Sequence, residues 1–231
     1  MSTRARPPGS PLIELRGVGV RYPGAAGPAL YGIDLTVGHG ELVAIAGPAG
    51  SGKSTLLGVV GLLLRPTTGS YLLNGLEVAR LGDRDLAAFR GRTIGWLFQR
   101  PRLLPARSAL ENVMLAVLYG GLPRQDRRMA ALGALDRVGL AAAGHVPAHR
   151  LAAGEQQRVA IARAIVAEPS LLLCDDPTAS LDEASAAQVV ELLAGLRGEG
   201  RTVLIATRDQ LAAARCSRSL AVAAVHDRAG R

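Results

Sequence analysis

Three short apolar runs stand out along the chain: Leu42-Val-Ala-Ile-Ala46, Leu171-Leu-Leu-Cys174 and Thr202-Val-Leu-Ile-Ala206. None alternates with polar positions, so each predicts a strand buried on both faces, as in the middle of a parallel sheet. A helical pattern follows each run, and strand–helix alternation at both ends of the chain predicts an α/β core. Residues 12 to about 47 are strand-like and broken by the turn pairs Pro23-Gly24 and Gly27-Pro28. The middle, about residues 101–153, is rich in Leu, Ala and Arg and reads as a mostly helical insertion. Within it, Ser108-Ala-Leu-Glu111 has capping-box spacing. Residues 1–11 read as a frayed, Pro-rich arm, which leaves 12–231 as one domain of two lobes.

Composition narrows the class. Of 231 residues 48% are hydrophobic and 20% charged, which is globular rather than disordered. Only 3% are aromatic, so Ala, Leu and Val must build the core. The longest strongly apolar stretch, residues 56–64, is too short to cross a bilayer and ends at Arg65. The start, MSTRARPPGSP, has no apolar h-region, so a soluble protein that stays inside the cell is expected. Cys174 and Cys216 form no CxxC pair, and Cys174 reads as a small buried hydrophobe in a reducing compartment.

The net charge is +8, and 26 of the 27 basic residues are arginine. That excess reads as coding bias, with attraction to an acidic membrane leaflet as the functional alternative. No basic stripe interleaved with aromatics is present, so no nucleic-acid partner is expected. The one lysine, Lys53, is the informative residue: a chain that uses arginine elsewhere keeps lysine at a single place.

Lys53 lies in Gly47-Pro48-Ala49-Gly50-Ser51-Gly52-Lys53-Ser54, which fits GxxxxGK[ST] and follows the strand ending at Ala46. Glycines let backbone N–H groups curl around phosphate oxygens with no Cβ in the way. A helix starting near Lys53 aims its positive end at the same anion. Lysine supplies a compact point charge where the broad guanidinium would fit badly, and Ser54 can offer a hydroxyl to Mg²⁺. The bland alternative is a glycine-rich strand–helix turn. Further on, Leu171-Leu-Leu-Cys-Asp175-Asp176 is an apolar strand ending in two acids. Asp175 would face the phosphates and hold Mg²⁺ through water, and Asp176 could orient an attacking water. The alternative for both is a loop-opening turn.

Leu151-Ala-Ala-Gly-Glu-Gln-Gln-Arg-Val-Ala-Ile-Ala-Arg-Ala-Ile165 resembles the signature segment of ATP-binding cassette (ABC) ATPases, commonly LSGGQ or LSGGEQQRVAIARA. Asp175-Asp-Pro-Thr-Ala-Ser-Leu-Asp182 is similar to that family's Walker B plus D-loop, Gln99 to its Q-loop and Tyr22 to its aromatic A-loop residue. Residues 103–113 look most like the lipoprotein-release and macrolide-export branch. The resemblance implies a P-loop NTPase (RecA-like) core, an antiparallel β subdomain and an inserted α-helical subdomain. It also implies ATP and Mg²⁺ as cofactors. Two cassettes, homo- or heterodimeric, would close head to tail, each ATP lying between one Walker site and the other chain's signature. The partner would be a separate transmembrane permease, with the cassette peripheral at the inner face of the plasma membrane. Tyr22 would stack on adenine; Gly47 to Ser54 and Thr55 would hold the nucleotide in one chain. Ala152, Ala153, Gly154, Glu155 and Asp182 would meet it from the other. Gln99 would touch Mg²⁺ or the water and relay occupancy to the helical lobe.

Four positions depart from the family pattern, all near hydrolysis. Asp176 stands where Glu is usual, and one methylene less pulls the carboxylate back by about 1.5 Å, enough to misplace a base. Arg208 stands where His is usual, and arginine cannot accept a hydrogen bond. It would neutralise γ-phosphate charge or point to solvent. Ala152 lacks a hydroxyl, and Ala153 puts a methyl where a phosphate oxygen must come close. These residues imply an ATPase that binds ATP well and turns over slowly; the alternative is an ATP-gated scaffold with little hydrolysis.

Overall fold

The computed structural model describes residues 10–118 and 122–222, so most of the expected N-terminal arm lies outside the described residues. In chain order the elements are β1 (Ile13–Val20), β2 (Leu30–Val37), β3 (Leu42–Ala46), α1 (Lys53–Val60), β4 (Thr68–Leu73), β5 (Leu76–Glu77), α2 (Asp83–Thr93) and β6 (Ile94–Leu97). Then follow α3 (Ala109–Met114), α4 (Arg127–Arg137), α5 (Ala153–Ile165), β7 (Leu171–Asp175), α6 (Glu183–Gly198), β8 (Thr202–Thr207), α7 (Gln210–Ala214) and β9 (Arg218–Ala221).

The strands form two sheets. One is four-stranded and antiparallel in the order β2-β1-β4-β5; the other is five-stranded in the order β6-β7-β8-β3-β9, with every pairing parallel. The three expected central strands are β7, β8 and β3, adjacent to one another. Their uniform apolarity follows from alternation against two cores. Leu172, Cys174, Val203 and Ile205 face a core shared with α3, α4, α5 and α6. Leu171, Leu173, Leu204 and Ala206 face the opposite core, shared with α1 and the antiparallel sheet. With helices or a sheet on both sides, no position in these strands can be polar without losing its water.

Residues 101–153 are less helical than expected. They hold only α3, α4 and two short 3₁₀ turns among the described residues, joined by extended loops. Pro101, Pro105, Pro123 and Pro147 interrupt the segment, and proline removes the amide that a continuing helix needs. The capping box is present: the Ser108 hydroxyl accepts from Glu111 N–H at 3.2 Å, and Glu111 Oε2 accepts from Ser108 N–H at 2.8 Å. Among the described residues, no helix is long and apolar enough to cross a membrane.

Candidate active site

The C-terminal ends of β3, β8 and β7 lie side by side, with Ala46 in register with Thr207 and Asp175 with Ala206. Open parallel sheets bind ligands at this edge, and three loops leave it together.

After β3, residues 47–52 turn the chain into α1. Gly52 has φ 95°, and a Cβ there would stand 2.7 Å from both Ala29 O and a Leu30 methyl, so glycine is required. Gly47 is equally constrained: a Cβ would lie 2.4 Å from Val222 O. Gly50, by contrast, has φ 76°, and a Cβ there would meet only open space. Lys53 starts α1, and its Nζ donates to Gly47 O and Pro48 O, each at 2.7 Å. Only 9% of Lys53 is exposed. Burial lowers its pKa; Asp176 and Asp175 oppose the shift and Arg208 adds to it. The Ser51 hydroxyl is buried with no hydrogen-bond partner, an orphaned polar group within the turn.

After β7, Asp175 Oδ1 accepts from the Ser54 hydroxyl at 3.0 Å. Burial raises the Asp175 pKa above the usual carboxylate range, although Ser54 pulls it down. Asp176 follows in the left-handed region at φ 45°, a conformation that aspartate tolerates better than most residues. Its N–H is held by Ala206 O at 2.7 Å. Its carboxylate does not face open solvent: Arg208 Nε and Nη2 lie 3.2 and 3.1 Å from Oδ2. Thr207 Oγ1 stands 3.5 Å from Oδ1 and accepts from Asp209 N–H at 2.9 Å. Asp209 in turn caps α7 and accepts from Thr178 at 3.2 Å. Thr178 lies within the Asp175–Asp182 segment and Thr207 and Asp209 flank Arg208, but no motif pairs the two segments. Only the adjacency of β7 and β8 would have paired the two loops.

Tyr22 sits beside the turn, its hydroxyl 3.2 Å from Thr55 Oγ1 in α1, and the residue is 41% exposed. Gln99 is exposed two residues beyond Leu97, which is in register with Cys174, so it leaves the same sheet edge as Asp175. The backbone that follows is braced by Arg163 of α5, which donates to Pro101 O at 2.6 Å and Arg102 O at 2.8 Å. Sequence reasoning missed that brace.

The remaining expected residues lie elsewhere. Ala152, Ala153, Gly154 and Glu155 open α5, where Glu155 Oε2 accepts from Ala152 N–H at 2.9 Å. Ala152 has no oxygen to return the bond, so this cap is one-sided. A Cβ on Gly154 would lie 2.6 Å from Ser185 Oγ, so this corner abuts the start of α6. Asp182 caps α6, accepting from Ser185 N–H and Oγ at 2.9 Å each. Among the described residues, no hydrogen bond joins 152–155 or Asp182 to residues 47–55 of the same chain. Ala152, Ala153 and Asp182 are exposed, and Gly154 and Glu155 are half-buried.

Comparison with known proteins agrees with this arrangement. A protein-family model described as "ABC transporter" matches residues 30–179. The chain is 49% identical over 218 residues to the macrolide export ATP-binding/permease protein MacB 1/2 of Paracoccus denitrificans, covering 93% of this chain and 32% of that protein. It thus spans about a third of the length of the curated relatives it matches. Among solved structures, the dimeric post-hydrolysis state of the ATP-binding cassette MJ0796 with ADP and phosphate superposes with a TM-score of 0.83 at 34% identity. The match covers 91% of this chain and 94% of that one. CbiO1 from Clostridium perfringens, part of a cbiONQ transporter complex, gives 0.85 at 30% identity, over 93% and 85% of the two chains. With a family model matched over residues 30–179 and solved cassettes at 34% and 30% identity superposing over more than nine-tenths of its length, this chain belongs to the ABC transporter family.

Proposed function

We infer that the chain is an ATP-binding cassette that binds ATP with Mg²⁺ and hydrolyses it slowly, driving a membrane permease. One observation carries this reading: the glycine turn with its single lysine stands at the sheet edge where Ser54 and Asp175 meet at 3.0 Å. A hydroxyl and a carboxylate are the hard oxygen donors that Mg²⁺ takes, so Ser54 and Asp175 fit the ion, with Gln99 near the same edge. Bound there, Mg²⁺ would neutralise charge on the phosphates.

The chain's own residues supply the rest. Backbone amides of 47–54 and the α1 N-terminus receive the phosphates, while Lys53 exchanges its two carbonyl partners for phosphate oxygens. Tyr22 offers an exposed ring to the base. Asp176 orients water, one methylene short of the usual length, which supports slow turnover. Among the described residues, Ala152 to Glu155 and Asp182 make no hydrogen bond to the chain's own cradle, which supports their serving a second cassette across a dimer. The dimeric form of the MJ0796 cassette supports the same assembly. Names of the curated relatives join an ATP-binding part to a permease, which supports a transmembrane partner and a peripheral place at the membrane. Residues 12–231 form the cassette, with 101–153 as an inserted subdomain that carries α3 and α4.

Lys53→Met tests the cradle. Each charge-assisted hydrogen bond to phosphate contributes about 1.5–3 kcal/mol, so ATP affinity should fall about a hundredfold in a fluorescent-nucleotide titration. Unchanged affinity would refute the assignment.

A further inference from the structure

Two of the residues that depart from the family pattern, Asp176 and Arg208, stand in contact, the guanidinium 3.1 Å from the carboxylate. The carboxylate is the fixed partner. Its backbone is held by Ala206 O, its other oxygen faces Thr207, and its side chain is 14% exposed. The guanidinium is the movable partner: 54% exposed, on a long stem, with no other hydrogen bond among the described residues. β8 lies between β3 and β7, so Arg208 leaves the sheet between the lysine of the cradle and Asp176. Lys53 feels the charges of both. A partly exposed ion pair holds weakly, whereas a phosphate presents more charge and more acceptor oxygens to a guanidinium.

We propose that Asp176 and the terminal phosphate of a nucleoside triphosphate compete for Arg208. With the cradle empty or filled by a diphosphate, Arg208 neutralises Asp176. A third phosphate draws the guanidinium across and uncovers the carboxylate, so Asp176 becomes available to water only when there is a phosphate to attack. The exchange rests on the ATP-binding reading above and adds to it a regulation of the same site. It also gives the two departures one role: a shorter acid stays beside a longer base.

The test is competition of ATP and ADP against a fluorescent ADP analogue, with Mg²⁺ chelated so that nothing turns over. It uses the whole chain, Arg208→Gln, Asp176→Asn and the double variant. Arg208→Gln should lower the ATP-to-ADP affinity ratio about tenfold, with an unchanged thermal unfolding midpoint reporting intact folding. Asp176→Asn should raise the ratio several-fold, and that gain should vanish in the double variant. An equal gain with and without Arg208 would mean that Asp176 merely repels phosphate, and would overturn the exchange. An unmoved ratio in Arg208→Gln would overturn it alone, whereas a wild-type chain that binds neither nucleotide would overturn the ATP-binding reading and the exchange with it.

Discussion

Gly154→Ala sets two effects of opposite sign against each other in the first turn of α5. Alanine is favoured over glycine in a helix by up to about 1 kcal/mol, and less in the first turn, where the backbone is only partly fixed. Against this, the new Cβ would stand 2.6 Å from Ser185 Oγ and 2.9 Å from Ser185 Cβ. Rotating the hydroxyl relieves only the first contact. The second requires the start of α6 to retreat, and overpacking of this kind costs about 1–3 kcal/mol. The net is a destabilisation of about 1–2 kcal/mol, a Tm lower by about 3–6 °C for a chain of this size. Differential scanning calorimetry reads it directly. Ser185→Gly in the same chain removes both atoms that the methyl meets; it gives up the hydroxyl bond to Asp182 Oδ2 but keeps the backbone N–H that donates to Asp182 Oδ1, at 2.9 Å in the wild type. The double variant should therefore recover most of the loss. A single variant as stable as wild type, or a double variant no better than the single, would refute the steric account.

Two further outcomes follow from burial. Cys216 is half-buried, and burial pushes its thiol up to about 11, while fully buried Cys174 is pushed further in the same direction. At pH 8 native-state alkylation of Cys216 should run at least about a hundredfold slower than for a free thiol and rise about tenfold per pH unit. The raised pKa makes the fold lose stability as pH climbs from the free-thiol value towards 11; labelling at the free-thiol rate would contradict this. Arg201, 6% exposed, pairs with Glu168 and Glu199, and Arg137 pairs with the same two acids. Removing one acid leaves two guanidiniums converging on the other, so Glu199→Gln should cost about 1–2 kcal/mol. Urea unfolding is the measurement, since guanidinium salt would screen the charges. Arg201→Met should cost less, because the two acids it leaves on Arg137 are 67% and 45% exposed and stay solvated.

Legibility in the sequence tracked how local each feature is. The central strands announced themselves because both faces of β7 and β8 are covered. β9 did not: it is a mostly exposed edge strand, Arg218–Ala221, held by pairing with β3 on one side, and edge positions carry no apolar pattern. Reading 101–153 as mostly helical failed because composition favours helix there while four prolines forbid its continuation.

The chain's order alone determined the phosphate turn, since its eight residues are contiguous and their glycines have no substitute in that conformation. It determined the Ser108 cap for the same reason. What only the tertiary structure decided is who meets whom at the sheet edge. Asp176 and Arg208 are 32 residues apart and touch because β7 and β8 are parallel neighbours. Likewise the start of α5 meets the start of α6, with Gly154 against Ser185, though 31 residues separate them. Strand order and helix placement are set by the burial of two opposed cores, a sum over many side chains that no short motif encodes.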